Sequence, residues 1–227
     1  QIHVMAPAGA GKTFIALHII VEFLQQSRSK KVLFVARNAS LCLFVAKWLA
    51  QRAESSPERK RWLGSLHLLF SPSQSDMLVV HSVKHESASH RLVVKYVNES
   101  EKYDLVCVDE AHHIYRHKDL RAQVEEHVNG SRRILLSDVS QSLGNDLKYP
   151  AEMREVRLAE VVRCSKRIVQ AASTFQIRDN EKQDQRVGEA PTTPEDTRCH
   201  HESTGPPLKS FLFDLPEGVN DEVRFAE

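Results

Sequence analysis

Eight residues near the start, APAGAGKT from Ala6 to Thr13, have types and spacing suited to holding a chain of phosphates. Phosphate oxygens are best met by a concave row of backbone N–H groups at a helix start, and glycine permits the unusual φ and close approach that such a row needs. Gly9 and Gly11 supply that freedom between Ala8 and Ala10, while Ala6 stands where glycine is commoner. Lys12 is placed to reach the β and γ phosphates, and the Thr13 hydroxyl to hold Mg²⁺. The chemistry implied is binding of a nucleoside triphosphate, and ATP is the expected ligand.

A second group completes that chemistry. LVCVDE, from Leu105 to Glu110, ends an apolar run in two acids. A carboxylate there can bind Mg²⁺ through its water shell, and its neighbour can orient an attacking water, which assigns the first role to Asp109 and the second to Glu110. RRILLSDVSQ repeats the arrangement, placing Asp138 and Gln141 after another apolar run, with Gln141 in reach of a γ phosphate. Catalysis is therefore expected of Glu110, Lys12 and Gln141.

These residues need elements to hold them at one edge. Ile2 to Met5 reads as a short buried strand, and Phe14, Ile15, Leu17, Ile19, Ile20, Phe23 and Leu24 follow a helical period. KKVLFVA and the spacing from Leu41 to Leu49 give a second strand and helix. LHLLF and MLVV read as strands, whereas LVVKYV is left open between strand and helix. LVCVDE and RRILLSD are continuous apolar runs ending in acids, as fully buried parallel strands deliver polar residues at their carboxyl ends. The fold class expected is α/β, a doubly wound, mainly parallel sheet with helices on both faces.

With 227 residues, 41% hydrophobic, the chain can bury a substantial core. Its 31 basic and 30 acidic residues nearly cancel, which excludes a strong overall field towards nucleic acid or an anionic membrane. Any polyanion contact must be local. Four scattered cysteines imply a reducing, intracellular setting, with nucleus and cytoplasm not distinguished. The longest apolar stretch, Phe14 to Leu24, is too short and too interrupted to cross a bilayer, so no membrane partner is expected. Cys199, His200 and His201 are adjacent without a second pair at metal spacing, a weak metal signal. SPERKRW, Ser56 to Trp62, reads as a solvated basic turn.

The order of these motifs resembles that of superfamily 1 helicases. The acid and glutamine after RRILLSD are similar to motif III of that superfamily. The letters DEAH at Asp109 to His112 recur in the name of a superfamily 2 class, but that class carries a Ser-Ala-Thr type motif downstream, which this sequence lacks. LAEVVRCSKRIVQAASTF resembles motif IV, which implies that Arg163 touches the γ phosphate as an arginine finger. VLFVARNASLCLFVAKWLA resembles motif Ia, which implies that Arg37, Asn38 and Ser40 touch a nucleic-acid backbone. The layout is most similar to the Schlafen-like branch, whose acid-Glu-Ala-His box also occurs here. The resemblance implies a RecA-like P-loop NTPase domain over 1–176; the few apolar residues and four prolines that follow read as a polar linker over 177–207, and the strand-like alternation from Leu208 to Leu215 as the start of a second RecA-like lobe over 208–227.

The resemblance also implies single-stranded DNA or RNA as partner. Departures from the pattern bear on that reading. The upstream glutamine motif that grips adenine is absent, as are motifs V and VI of the second lobe. Because the chain also opens on Gln1 in an apolar strand, it is expected to be a piece of a longer protein. Hydrolysis without the second lobe is expected to be poor, and unwinding by this chain alone is not expected.

Overall fold

The structure, a computed structural model, describes residues 1–53, 55–72, 77–86, 91–97, 101–128, 130–138, 147–169 and 198–200. The first strand, β1 (Ile2–Ala6), leads through the glycine loop into α1 (Lys12–Gln26). β2 (Val32–Asn38) and α2 (Ala39–Arg52) follow, then α3 (Ser56–Ser65) and β3 (Leu66–Ser71). β4 (Val79–Glu86) and β5 (Arg91–Tyr96) form a hairpin. β6 (Leu105–Val108), α4 (Ala111–Tyr115), α5 (Lys118–Glu126) and β7 (Arg132–Asp138) complete the centre. β8 (Arg154–Arg157) is an outer strand, and β9 (Glu160–Val161) pairs with β10 (Arg198–Cys199).

Eight strands form one sheet in the order β5-β4-β3-β2-β6-β7-β1-β8. All pairings from β3 to β8 are parallel, while β4 and β5 are antiparallel. The run LVVKYV, which periodicity left open, is thus a strand: Leu92 and Val94 turn one way onto the core, and Arg91, Val93 and Lys95 turn the other.

Helices cover both faces, and strand alternation divides the core between them. On one face Val4, Phe34, Leu68, Cys107 and Leu136 meet α1, α2 and α3. On the other, Leu33, Val35, Val106, Val108 and Leu135 meet α4 and α5. The doubly wound, mainly parallel sheet expected from the apolar runs is the observed fold.

One local reading is corrected. SPERKRW is not a solvated turn but the body of α3. Ser55 caps it, accepting from the Glu58 N–H at 3.3 Å, in a Ser-x-x-Glu start. Its arginines close other helices: Arg59 Nε donates to the Ala50 carbonyl at 2.6 Å and Arg61 to that of Leu24 at 2.8 Å, both in last turns. Trp62 lies in the core, 2% exposed, so it cannot stack on a base. Trp62→Ala is expected to cost about 3–5 kcal/mol of stability, read as a fall in the denaturant midpoint; a loss below about 1 kcal/mol would contradict the packing. Phe14 lies in α1, as its helical period predicts, but is 53% exposed. The buried face of α1 starts at Ala16, and Phe14 instead meets Trp48 edge-on at 6.0 Å.

The core also holds imidazoles. His3 Nε2 lies 2.7 Å from Ser137 Oγ and its ring packs on Tyr149, while His67 Nδ1 meets Tyr103 Oη at 2.8 Å. Burial lowers the pKa of both, against the pull of Glu155 on His3 and of Glu101 on His67. The folded chain therefore refuses protons that the unfolded chain accepts, so stability is present above the ordinary imidazole value of 6.5 and is lost as pH falls through the depressed values. Thermal melts are expected to shift down between about pH 7 and about pH 5. His3→Gln should flatten part of that slope; an unchanged slope would remove His3 from the account.

Candidate functional site

The C-terminal ends of the parallel strands share one edge, where a doubly wound sheet opens its crevice. β1 and β6, which carry the glycine loop and the acid pair, are not neighbours: β7 lies between them. Register pairs Ala6 with Asp138, so the end of β7 brings Asp138 beside the loop.

The loop closes by local hydrogen bonds. Ala10 N–H donates to the Pro7 carbonyl at 3.3 Å, and Ile15 N–H to that of Gly11 at 3.1 Å. Gly9 and Gly11 have φ of 79° and 84°, a region that L side chains avoid, and Gly11 is the residue before the first helical turn. Lys12 Nζ donates to the carbonyls of Ala6 and Pro7, each at 3.0 Å, and lies 3.8 Å from Asp138 Oδ2. Burial pulls the Lys12 pKa below the usual lysine value, opposed by Asp138, Asp109 and Glu110 and aided by Arg163.

Thr13 Oγ1 donates to Asp109 Oδ2 at 2.6 Å across 96 residues of sequence. Asp109 is 2% exposed. Burial raises its pKa, while the Thr13 hydroxyl, the Glu110 N–H at 2.8 Å from Oδ1, and Lys12 act against that rise. Glu110 follows with φ 48°, ψ 42°, a left-handed conformation that costs a non-glycine residue roughly 1–2 kcal/mol. Strain of this kind collects at functional turns, where it aims a side chain away from its strand. One turn on, His112 Nδ1 accepts from the Asp138 N–H at 3.2 Å, tying the acid-bearing turn to the end of β7.

Arg163 arrives from the far side. Val162 and Arg163 both donate backbone N–H bonds to the Gly9 carbonyl, at 3.1 and 3.2 Å. A Cβ on Gly9 would meet Arg163 Cβ and Val161 Cγ1 at 3.3 Å each. Gly9→Ala is therefore expected to combine backbone strain of roughly 1–2 kcal/mol with displacement of this segment, lowering nucleotide affinity in a titration. Affinity equal to the parent's would show that the contact is dispensable. Sequence reasoning missed Val161 and Val162 as walls of the loop; the signal was the apolar pair directly before Arg163.

The structure thus brings together Ala8, Gly9, Ala10, Gly11, Lys12, Thr13, Asp109, Glu110, Asp138 and Arg163. Gln141 lies outside the described residues, as do 208–227. Arg37, Asn38 and Ser40 sit at the same sheet edge, where β2 enters α2; Asn38 caps that helix, accepting from the Ser40 N–H at 2.8 Å. Within the stretch read as a linker, Arg198–Cys199 form β10 against β9. Cys199 donates to the Cys164 carbonyl, and among the described residues no cluster of His, Cys, Asp or Glu suits a metal with protein ligands alone. No helix among them is long and apolar enough to cross a membrane.

The sequence model of a family described as type III restriction enzyme, res subunit (ResIII), matches residues 1–138, more than half of the 227. The chain belongs to the ResIII family. That family is of helicase type, so this ResIII chain is a helicase-type P-loop ATPase domain in outline, and the match points to a superfamily 2-type fold. It gives no support to the narrower superfamily 1 and Schlafen-like assignment.

Among solved structures, the Pyrococcus furiosus Hef helicase domain is similar at 17% identity and TM-score 0.41, over 69% of this chain and 35% of that one. The Thermus phage P74-26 large terminase ATPase domain is similar at 10% identity and TM-score 0.36, over 69% and 75%. The ResIII chain thus spans about a third of the Hef structure's length. No curated protein sequence matches it.

Proposed function

We propose that this ResIII domain binds ATP and hydrolyses it with Mg²⁺, as the nucleotide-binding lobe of an intracellular motor acting on single-stranded DNA or RNA. The observation that carries the reading is the convergence of Lys12, Thr13, Asp109 and Glu110 at one sheet edge, with the Thr13 hydroxyl 2.6 Å from the Asp109 carboxylate. Two hard oxygen donors from distant elements fit Mg²⁺, which prefers oxygen and keeps several waters. Thr13 and Asp109 would hold it, and it would neutralise charge on the phosphates.

The protein's own groups do the rest. Backbone N–H groups from Ala8 to Thr13 cradle the phosphates at the start of α1. Lys12 exchanges its bonds to the Ala6 and Pro7 carbonyls for phosphate oxygens. Glu110 orients water in line with the γ phosphate and takes up its proton, and Arg163 meets the charge that grows on the transferred group. Gln141, by its place after Asp138, reports the γ phosphate to moving parts. Arg37, Asn38 and Ser40 meet the nucleic-acid backbone, and a second RecA-like lobe closes the cleft. The superfamily 1 assignment rests on the motif order after Asp138 and around Arg163.

A nucleotide-dependent switch without movement along a strand is the alternative, favoured by the near balance of 31 basic and 30 acidic residues. ATP hydrolysis with and without single-stranded DNA or RNA, beside Lys12→Ala, separates the two. Stimulation by one polymer, lost in Lys12→Ala, is the expected result. Hydrolysis indifferent to every polymer would sink the motor and leave the switch. No hydrolysis and no nucleotide binding would overturn both.

A further inference from the structure

Two thiols stand outside the chemistry described so far. Cys42 and Cys107 are fully buried in the core, whereas Cys164 and Cys199 are each partly open to solvent. Cys199 Sγ lies 3.1 Å from the carbonyl oxygen of Cys164, a contact across 35 residues of sequence. A carbonyl oxygen is about 2.4 Å from its own Cα, which puts Cys199 Sγ within about 5.5 Å of the Cys164 Cα. The sulfur is about 2.8 Å from its own Cα, which bounds the Cα–Cα separation at about 8.3 Å, and disulfides span about 4.4–6.8 Å, so a closing of about 1.5 Å or less brings the pair into range.

The contact is held by more than the thiol. Arg198 N–H donates to the Ala159 carbonyl at 2.8 Å and His200 N–H to that of Val161 at 2.9 Å, so β10 is stitched to β9 on both sides of Cys199. His200 Nδ1 also lies 3.0 Å from Glu160 Oε1. On its other side, the segment that carries Cys164 rests on the phosphate loop through the two bonds from Val162 and Arg163 to the Gly9 carbonyl. The thiol pair is therefore one residue from Arg163 and one hydrogen-bonded step from Gly9.

We infer that Cys164 and Cys199 are a reversible oxidation site, whose disulfide fixes the Arg163 segment against the phosphate loop and slows the nucleotide cycle. Hydrogen peroxide is the oxidant. One thiolate attacks a peroxide oxygen: an S–O bond forms, the O–O bond breaks, and water leaves once the hydroxide is protonated. The second thiol attacks the sulfenic sulfur: the S–S bond forms and a second water leaves. In total two thiols lose two electrons and two protons, and peroxide becomes two waters. A dithiol reductant reverses the bond by exchange. Transient disulfides of this kind are the usual ones in reducing compartments. The effect on turnover follows because Arg163 must adjust as charge grows on the γ phosphate, and a tether one residue away removes that freedom.

The effect on turnover rests on the proposed ATPase reading, but formation of the bond does not. The test is peroxide titration of the full chain, followed by mass spectrometry without reductant and by ATP turnover, beside Cys164→Ser and Cys199→Ser. The expected result is loss of two hydrogens in mass, a peptide pair joining Cys164 to Cys199, and turnover reduced severalfold, restored by dithiothreitol. Either serine variant should lose both the linked peptides and the peroxide sensitivity while keeping its turnover in reductant. Absence of the linked pair overturns the inference, and so does a linked chain that turns over as fast as the dithiol form. If the reduced chain neither binds nor hydrolyses nucleotide, the ATPase reading fails, and the linked peptides alone decide whether the oxidation site exists.

Discussion

Glu110→Gln is expected to lower ATP turnover by roughly 10²–10⁴-fold while leaving nucleotide affinity near that of the parent. The side chain keeps its size, and the Glu110 N–H that supports Asp109 is backbone and survives the change. What disappears is the carboxylate that orients water and accepts its proton. The left-handed turn at Glu110 aims the side chain out of β6, and glutamine inherits that turn with no new strain. Single-turnover hydrolysis separates the chemical step from product release, and a nucleotide titration separates it from binding. Turnover within a few-fold of the parent would move the role to another acid at this edge, with Asp138 next in line. Weakened binding instead would mean that Glu110 supports the loop.

Arg163→Ala is expected to have an effect of similar size, roughly 10³-fold or more on turnover, with a smaller effect on affinity. Arg163 stands three residues before a helix that begins at residue 166, and its backbone is bonded to Gly9. The alanine variant keeps that backbone bond and loses only the guanidinium. Arg163→Lys should recover little, because an ammonium lacks the planar fork that grips two phosphate oxygens. A lysine variant as active as the parent would show that charge alone matters. An alanine variant as active as the parent would reduce Arg163 to a helix-flanking residue.

The phosphate loop, the acid pair and the buried strands were legible in the sequence because each is written in a contiguous run with its own physical signature. Glycines flanking Ala10 announce a loop, and a run such as LVCV admits few placements besides the middle of a sheet. What was not legible depends on residues far apart in sequence. Trp62 looked exposed because its neighbours are Glu58, Arg59, Lys60 and Arg61, yet two of those arginines are spent on carbonyls at the ends of α1 and α2. Phe14 fits a helical period but falls just outside the stripe that meets the sheet. LVVKYV is too short for its period to decide, and the hairpin that makes it a strand is a property of β4. The position of Arg163 over Gly9 rests on the path of the chain after β8, which no local pattern encodes.

The sheet order has a consequence in time as well as in space. Among the described strands β1 comes earliest in the chain, yet its neighbours in the sheet are β7 and β8, which begin at Arg132 and Arg154. During synthesis this strand gains those two neighbours only after more than a hundred further residues have emerged, so α1 waits over that interval for the part of its seat that β7 supplies. β2, β3 and the β4–β5 hairpin can assemble meanwhile from residues closer together. Long-range parallel pairing of this kind folds slowly and exposes apolar surface on the way. The growing chain therefore exposes the segment that later holds the nucleotide until β7 has been added, and the site cannot be complete before then.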